Sequence, residues 1–147
     1  MGMYTELNIA VRLKLSDNAL EILEFMTGQS DNEDFELPFH PLFMSGTDRW
    51  KYMLYCESAY FDHTTCSSLV NQKDFADEDM ERVLNVRCDL KNYNDEIENF
   101  LDWIYPYSKT KGFIGYMRYE EDGDPTLIYF TNCGVKFRRV NGYETFN

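Results

Sequence analysis

The first strong pattern in the chain is an alternation of apolar and polar residues. Between residues 5 and 15, aliphatic side chains fall on one face of an extended segment and mainly polar ones on the other: Leu7, Ile9, Val11, Leu13 and Leu15 against Glu6, Asn8, Arg12 and Lys14. A period of two predicts a β-strand that is buried on one face only.

The next segment has the spacing of an amphipathic helix. Its apolar residues recur at helical intervals: Ala19, Ile22, Leu23 and Met26. Ser16, Asp17 and Asn18 offer N-cap oxygens, and Glu21 follows Asn18 at the distance of a capping box. Gly28 can end the helix in a left-handed turn.

The middle of the chain has weaker patterns. Residues 29–48 are interrupted by prolines, yet five apolar side chains predict that this loop packs back on the domain: Phe35, Leu37, Phe39, Leu42 and Phe43. Residues 50–56 are interpreted as a second strand, which Tyr60 and Phe61 either extend or follow. Residues 71–81 are acidic and predict a solvated connection between strands.

Stronger patterns return in the second half. Residues 83–90 alternate as a strand, and a helix capped by Asn92 or Asn94 is predicted from an apolar stripe: Ile97, Phe100, Leu101 and Ile104. Three more strands are predicted after this helix: 113–119, 126–131 and 135–140. Asp122–Gly123 is typical of a hairpin turn, and Gly115 inside a strand indicates a bulge or close packing.

The order of these elements predicts the fold class. Strand, helix, two strands, helix and strand is the order of ferredoxin-like folds. We therefore predict a single α+β domain over residues 3–147, a ferredoxin-like βαββαβ sandwich with extra C-terminal strands. Both helices are expected on one face of an antiparallel sheet. Met1 and Gly2 are interpreted as a cloning remnant before a natural start at Met3.

The charge balance favours some partners over others. Acidic residues number 26 and basic residues 14, which gives a net charge of −12. Nucleic acids and anionic membranes are bound mainly through Lys and Arg, so this balance argues against general nucleic-acid binding and against membrane docking. An acidic surface keeps a protein soluble, and it also attracts a protein partner with a basic surface.

The expected compartment is the cytoplasm. The sequence contains no apolar run of about 18 residues and no signal-peptide layout. The four cysteines form no Cys-x-x-Cys pair: Cys56, Cys66, Cys88 and Cys133. Reduced thiols are therefore expected.

Few residues suggest catalytic or metal chemistry. Asp62, His63 and Cys66 are close in sequence, but the second ligand pair of a zinc site is missing. His40 with Cys66 would form a hydrolase pair only through a tertiary arrangement, and the alternative is a histidine that simply forms hydrogen bonds. The carboxylates at 120–124 lack EF-hand spacing, and phosphate-binding and nucleophile-elbow motifs are absent. We predict no catalytic residue, no metal and no cofactor, and we favour a binding protein over an enzyme whose groups meet only in three dimensions.

One set of residues predicts a ligand site. If the apolar stripes face the helices, Arg12 and Arg87 point to the open face of the sheet, and a bulge decides whether Arg118 joins them. Tyr55 or Tyr116 would lie alongside. Arginine beside aromatic rings suits a planar anionic ligand such as a nucleotide. The alternative is cross-strand salt bridging with nearby carboxylates: Glu6, Asp89 or Glu120.

Six segments spread over most of the chain form a recognisable set: Met3–Glu6, Arg49–Tyr52, Leu90–Tyr93, Asp95–Ile97, Gly115–Glu121 and Pro125–Leu127. This set resembles a group of small uncharacterised proteins encoded by bacteriophages and prophages. The resemblance implies an accessory phage protein that acts in the bacterial cytoplasm by binding a host or phage protein. It implies no catalytic residues.

Two binding functions are therefore expected as alternatives. In the first, the acidic surface engages a basic face of a host or phage protein through attraction that weakens with salt. In the second, the open sheet face holds a small anionic, nucleotide-like ligand through Arg12, Arg87, Arg118 and Tyr116. Self-association into a homo-oligomer is left open.

Overall fold

The computed structural model describes residues 3–58, 60–62, 64–71 and 81–140. Within these ranges the chain forms six strands and two α-helices: β1 Thr5–Lys14, α1 Asp17–Met26, β2 Ser68–Asn71, β3 Glu81–Leu90, α2 Glu96–Ile104, β4 Gly112–Tyr119, β5 Thr126–Thr131 and β6 Gly134–Arg139. Short 3₁₀ turns occur at Pro41–Phe43, Asp48–Lys51 and Tyr105–Tyr107. The predicted α+β class is confirmed.

The six strands form one antiparallel sheet in the order β2-β3-β1-β4-β5-β6. β1 lies inside the sheet, where its Ile9 pairs with Val86 of β3 and Gly115 of β4. The hairpins β4–β5 and β5–β6 extend the sheet beyond β4. The strand order therefore differs from that of a plain βαββαβ sheet.

The predicted alternation decides which face of the sheet is buried. The odd-numbered residues of β1 from Leu7 to Leu13, and Leu84, Val86, Cys88 and Leu90 of β3, belong to one hydrophobic core with the apolar stripes of both helices. On the opposite face of these strands, Ala10, Lys14, Asn85 and Arg87 are exposed. In the described part of the chain, neither helix is long and apolar enough to cross a membrane.

A predicted side chain is the N-cap of α1, whereas the N-cap of α2 is Asp95, whose side chain makes no capping hydrogen bond. The Ser16 hydroxyl accepts a hydrogen bond from the Ala19 N–H at 3.2 Å, so Ser16 is the N-cap of α1. At α2, the Asn92 side-chain oxygen accepts from the Ile97 N–H at 2.8 Å. Gly28 follows α1 with a φ of +80°, the left-handed conformation that was predicted.

The prediction of a strand at 50–56 is wrong. The segment forms the 3₁₀ turn Asp48–Lys51 and then consecutive turns. Trp50, Met53 and Leu54 are buried, whereas Tyr52 and Tyr55 are exposed. This is the i, i+3, i+4 spacing of a helical turn rather than the alternation of a strand.

The second strand is instead β2, a short edge strand. It has four residues, of which only Leu69 is buried, so it carries too little alternation to be recognised. Tyr60 is exposed and Phe61 is buried, and both lie outside the strands. Most of the predicted acidic connection at 71–81 lies outside the described residues, since Asn71 ends β2 and Glu81 begins β3.

Candidate functional site

The open face of the sheet brings three of the four predicted ligand residues together. Paired residues of neighbouring strands share a face, so their side chains stand in rows across the sheet. One row contains Asp89, Glu6 and Arg118, and the next contains Arg87, Asn8 and Tyr116. Arg12 is not part of this group: it lies four residues beyond Asn8 along β1, a distance of about 13 Å.

Arg87, Tyr116 and Arg118 line one cavity, here called the Arg87 cavity. Its volume is ≈ 270 Å³, and its remaining lining residues are Glu6, Asp62 and Pro125. Phe61 reaches over this part of the sheet, because its ring lies 5.3 Å from the Arg118 guanidinium. The predicted open face is therefore partly covered at this position.

Salt bridges account for two of the three arginines. Arg118 Nε lies 2.9 Å from Glu6 Oε1, and the Glu6 side chain is almost fully buried. Arg12 Nε lies 4.0 Å from Glu81 Oε2, a carboxylate that was not among the predicted partners. Among the described residues, no ion pair involves Arg87, whose side chain is exposed. Arg87 is thus the arginine of this group that has no ion-pair partner within the described ranges, although the Asp62 side chain lines the same cavity.

A buried carboxylate fixes the segment that borders the Arg87 cavity. Asp89 is fully buried, and its Oδ2 accepts hydrogen bonds from the Ser58 N–H at 2.9 Å and from the Ser58 hydroxyl. The Asp89 N–H in turn donates to the Cys56 carbonyl at 3.1 Å. Asp89 therefore attaches the segment around Ser58 to β3. The sequence did not indicate this role, because Ser58 and Asp89 are about thirty residues apart in the chain.

The open face is basic although the chain is acidic. Six basic residues of the described strands have their side chains on this face: Arg12, Lys14, Arg87, Arg118, Lys136 and Arg138. Three carboxylates share this face: Glu6 and Asp89, which are buried, and Glu81, which is paired with Arg12. The net charge of −12 therefore does not describe this face, because most of the 26 acidic residues lie outside the described strands.

One such acidic region is the Phe39 loop, defined as residues 31–44. It contains four exposed carboxylates and no Lys or Arg: Asp31, Glu33, Asp34 and Glu36. The prediction that this loop packs on the domain is confirmed for Leu42, which is buried, and for Phe35 and Phe43, which pack against the core. It is wrong for Leu37 and Phe39, whose side chains are 45% and 93% exposed.

Contacts on both sides of Phe39 hold the chain to the domain. Asn18 Nδ2 donates to the Glu36 carbonyl at 3.0 Å. His40 Nε2 lies 2.8 Å from Asp102 Oδ2 on α2, and His40 Nδ1 accepts from the Leu42 N–H at 3.1 Å. The exposed ring thus projects from a loop that is held at both ends, and the hydrogen-bonding interpretation of His40 is confirmed.

Among the described residues, the other predicted candidates do not form a site. His63, the proposed partner of Asp62 and Cys66, lies outside the described residues. Within the described residues, no group of three His, Cys, Asp or Glu is arranged to hold a metal ion. Tyr55, the second candidate ring for the arginines, instead donates its hydroxyl to the Phe25 carbonyl at 3.1 Å.

Comparison with known proteins adds no assignment, because no protein-family model, no curated protein and no solved structure matches the chain. The resemblance to phage-encoded proteins therefore stays a prediction. Two surfaces remain as candidates for function: the Phe39 loop and the Arg87 cavity.

Proposed function

We propose that the chain is a protein-binding module and that its Phe39 loop binds a basic face of a partner protein. The observation that carries the proposal is the side chain of Phe39, which is 93% exposed on a loop held at both ends. Leu37 and Met44 are also exposed within the same loop. Several large apolar side chains in one exposed segment are typical of a surface that a partner covers.

The charges of the loop specify the chemistry of the partner. Of the four exposed carboxylates, Glu33 is paired with Lys51 at 3.1 Å. The other three are joined by Asp102, whose side chain is 73% exposed beside His40. A complementary partner has an apolar pocket for Phe39, surrounded by Lys and Arg. Following the resemblance described above, we place this partner among host or phage proteins of the bacterial cytoplasm.

The fixed ends of the loop make Phe39 an efficient binding residue. A loop that is already ordered loses little conformational entropy on association. Full burial of a Phe side chain is worth about 1.5–3 kcal/mol. Removal of a central aromatic residue of an interface costs about 2 kcal/mol or more, which is roughly 30-fold in Kd.

The test uses affinity capture from bacterial lysate with wild type and Phe39→Ser as parallel baits, at low and at high salt. A partner of the proposed kind is retained by wild type at low salt, weakened at high salt, and lost with Phe39→Ser. The captured protein is then purified, and its Kd is measured against both baits, with the roughly 30-fold difference expected.

The matched control is Phe113→Ser, which removes another exposed Phe, from β4. This variant is expected to bind like wild type. Capture of the same proteins by wild type and Phe39→Ser, with equal Kd values, would overturn the proposal. Because Phe39 is almost fully exposed, Phe39→Ser is expected to unfold at the same temperature as wild type.

A second candidate function is the binding of a small anionic ligand in the Arg87 cavity. The observation that favours it is the exposed Arg87 guanidinium, which has no ion pair among the described residues, beside Tyr116 and Arg118.

Thermal-shift measurements with nucleotides and cyclic dinucleotides test this second function, since a bound ligand raises the melting temperature by mass action. The shift should vanish in Arg87→Gln and persist in Arg12→Gln, which removes a cation from the same face outside the cavity. No shift in wild type, or the same shift in both variants, would contradict it.

We also propose that β1–β4 with the two helices form a ferredoxin-like unit to which β5 and β6 are added. The order β2-β3-β1-β4 at one end of the sheet supports this assignment. An experimental structure in which β1 is not flanked by β3 and β4 would contradict it. The fold by itself names no function, so the functional proposals depend on the two surfaces alone.

A further inference from the structure

A third surface feature is independent of both functional proposals. It is a pocket between the start of β1, the end of β3 and the turns that follow Asp48–Lys51, here called the Tyr4 pocket. Its volume is ≈ 190 Å³, and it is lined by Tyr4, Arg49, Tyr52, Met53, Cys56, Leu90 and Lys91. Met53 and Leu90 are buried core residues, so the pocket has an apolar base.

Two cations at this pocket are positioned by aromatic rings and not by carboxylates. The Arg49 guanidinium lies 5.0 Å from the centre of the Tyr93 ring, and Arg49 Nη1 donates to the Lys91 carbonyl at 2.9 Å. Lys91 Nζ lies 5.7 Å from the centre of the Tyr4 ring. Cation–π contacts of this kind hold the charges in place without neutralising them.

Neither cation has an ion-pair partner within the part of the chain that the structure describes. Across the described ranges, no ion pair involves Arg49 or Lys91, although the chain has 26 acidic residues and 14 basic ones. Two cations that form no ion pair with any described residue, beside an apolar base, are complementary to a ligand with an apolar body and a negative group.

We propose that the Tyr4 pocket binds a planar aromatic anion, a single ring that carries an acidic group. The ring packs beside Tyr4 and Tyr52, above the buried base of the pocket, and the acidic group reaches Arg49 and Lys91. The volume supports a single ring, because pockets for drug-sized ligands occupy about 300–1,000 Å³. An inorganic anion alone would leave the apolar base unused.

Benzoate is the probe, and its binding is measured by ligand-observed NMR on the full chain. Cyclohexanecarboxylate keeps the charge without the planar ring, and benzyl alcohol keeps the ring without the charge. Benzoate is expected to bind more tightly than either. Lys91→Gln is expected to weaken benzoate binding roughly tenfold, the usual effect of losing a hydrogen bond to a charged group. Lys109→Gln, which removes an exposed Lys elsewhere, is expected to bind like wild type.

Cys56 supplies a readout of where the probe binds. Its thiol lines the pocket, and burial raises its pKa, so it is expected to react slowly with iodoacetamide at neutral pH. Bound benzoate should slow alkylation of Cys56 further and leave the exposed Cys133 unchanged. Lys91→Gln should abolish this protection at the same benzoate concentration.

Three results with benzoate would overturn the proposal. They are a failure of benzoate to bind, benzoate binding that leaves the alkylation rate of Cys56 unchanged, and equal affinity of benzoate for wild type and Lys91→Gln. Equal binding of benzyl alcohol would also overturn it, because the cations would then contribute nothing.

Discussion

Gly115 is the residue on which the contact between β1 and β4 depends most directly. It has a φ of +151°, which L side chains rarely adopt, and the register of β4 against β5 shifts between Phe113 and Gly115. A Cβ at this position would lie 2.8 Å from the Ile9 Cα and 2.9 Å from the Asn8 carbonyl carbon, and closer still to the Asn8 oxygen. These are backbone atoms of an inner strand, so no side-chain rotation relieves the overlap.

Gly115→Ala is therefore expected to be strongly destabilising. Backbone in a conformation that disfavours L-residues costs about 1–3 kcal/mol, and overpacking adds about 1–3 kcal/mol. Together they should lower the free energy of unfolding by about 2–6 kcal/mol, a large part of the 5–15 kcal/mol that is usual for a domain. The measurement is urea unfolding followed by circular dichroism.

Gly123→Ala is the matched control in the same hairpin. A Cβ at Gly123 meets nothing within 4 Å, so the same substitution should change the free energy of unfolding by less than about 1 kcal/mol. If Gly115→Ala also stays within about 1 kcal/mol of wild type, the close approach of β4 to β1 is refuted. The Arg87 cavity would then be in doubt as well, because Tyr116 and Arg118 reach the open face through the bulge before them.

Three further predictions concern stability. Cys88 is fully buried, and burial raises its pKa well above 9.0. Above about pH 9 the unfolded thiol loses its proton while the folded thiol keeps it. The free energy of unfolding should therefore decrease by up to about 1.4 kcal/mol per pH unit because of this group. In Cys88→Ala, urea unfolding should show a smaller decrease over the same pH range. Ser58→Ala removes a hydroxyl donor from the buried Asp89 carboxylate, so it should lower the free energy of unfolding by about 1–3 kcal/mol and the melting temperature with it. An unchanged melting temperature would show that this hydrogen bond contributes nothing to stability. Ser16→Ala removes the N-cap of α1 and should cost about 1 kcal/mol by urea unfolding; no loss would show that Ser16 does not cap the helix.

Elements whose signal is local were predictable from the sequence. The alternation of β1 and β3 and the helical stripe of α2 each lie within ten consecutive residues, and burial follows them. Residues 50–56 were misassigned because three buried side chains at helical spacing were interpreted as a strand. β2 was missed because a four-residue edge strand has too few positions to establish a period.

The sequence by itself determined that Arg12 and Arg87 lie on the open face of the sheet, because alternate residues of a strand point to opposite sides. The face of Arg118 depended on the bulge before it, which only the structure shows. Strand pairing decided the rest. The register of β1 against β3 pairs Arg87 with Asn8, four residues before Arg12, so the two arginines lie apart. The register of β1 against β4 places Glu6 beside Arg118, which is more than a hundred residues away in the chain.

Only the tertiary structure decided which charges are compensated. Arg118 is paired with Glu6, whereas the described residues contain no ion-pair partner for Arg87, Arg49 or Lys91. Likewise the composition of the Phe39 loop indicated packing but not which of its rings stays exposed. The composition gives only the total charge and the total apolar content of the chain. Binding of a partner or ligand depends on how the fold distributes the charged and apolar side chains over the surface, and contacts between distant segments set that distribution.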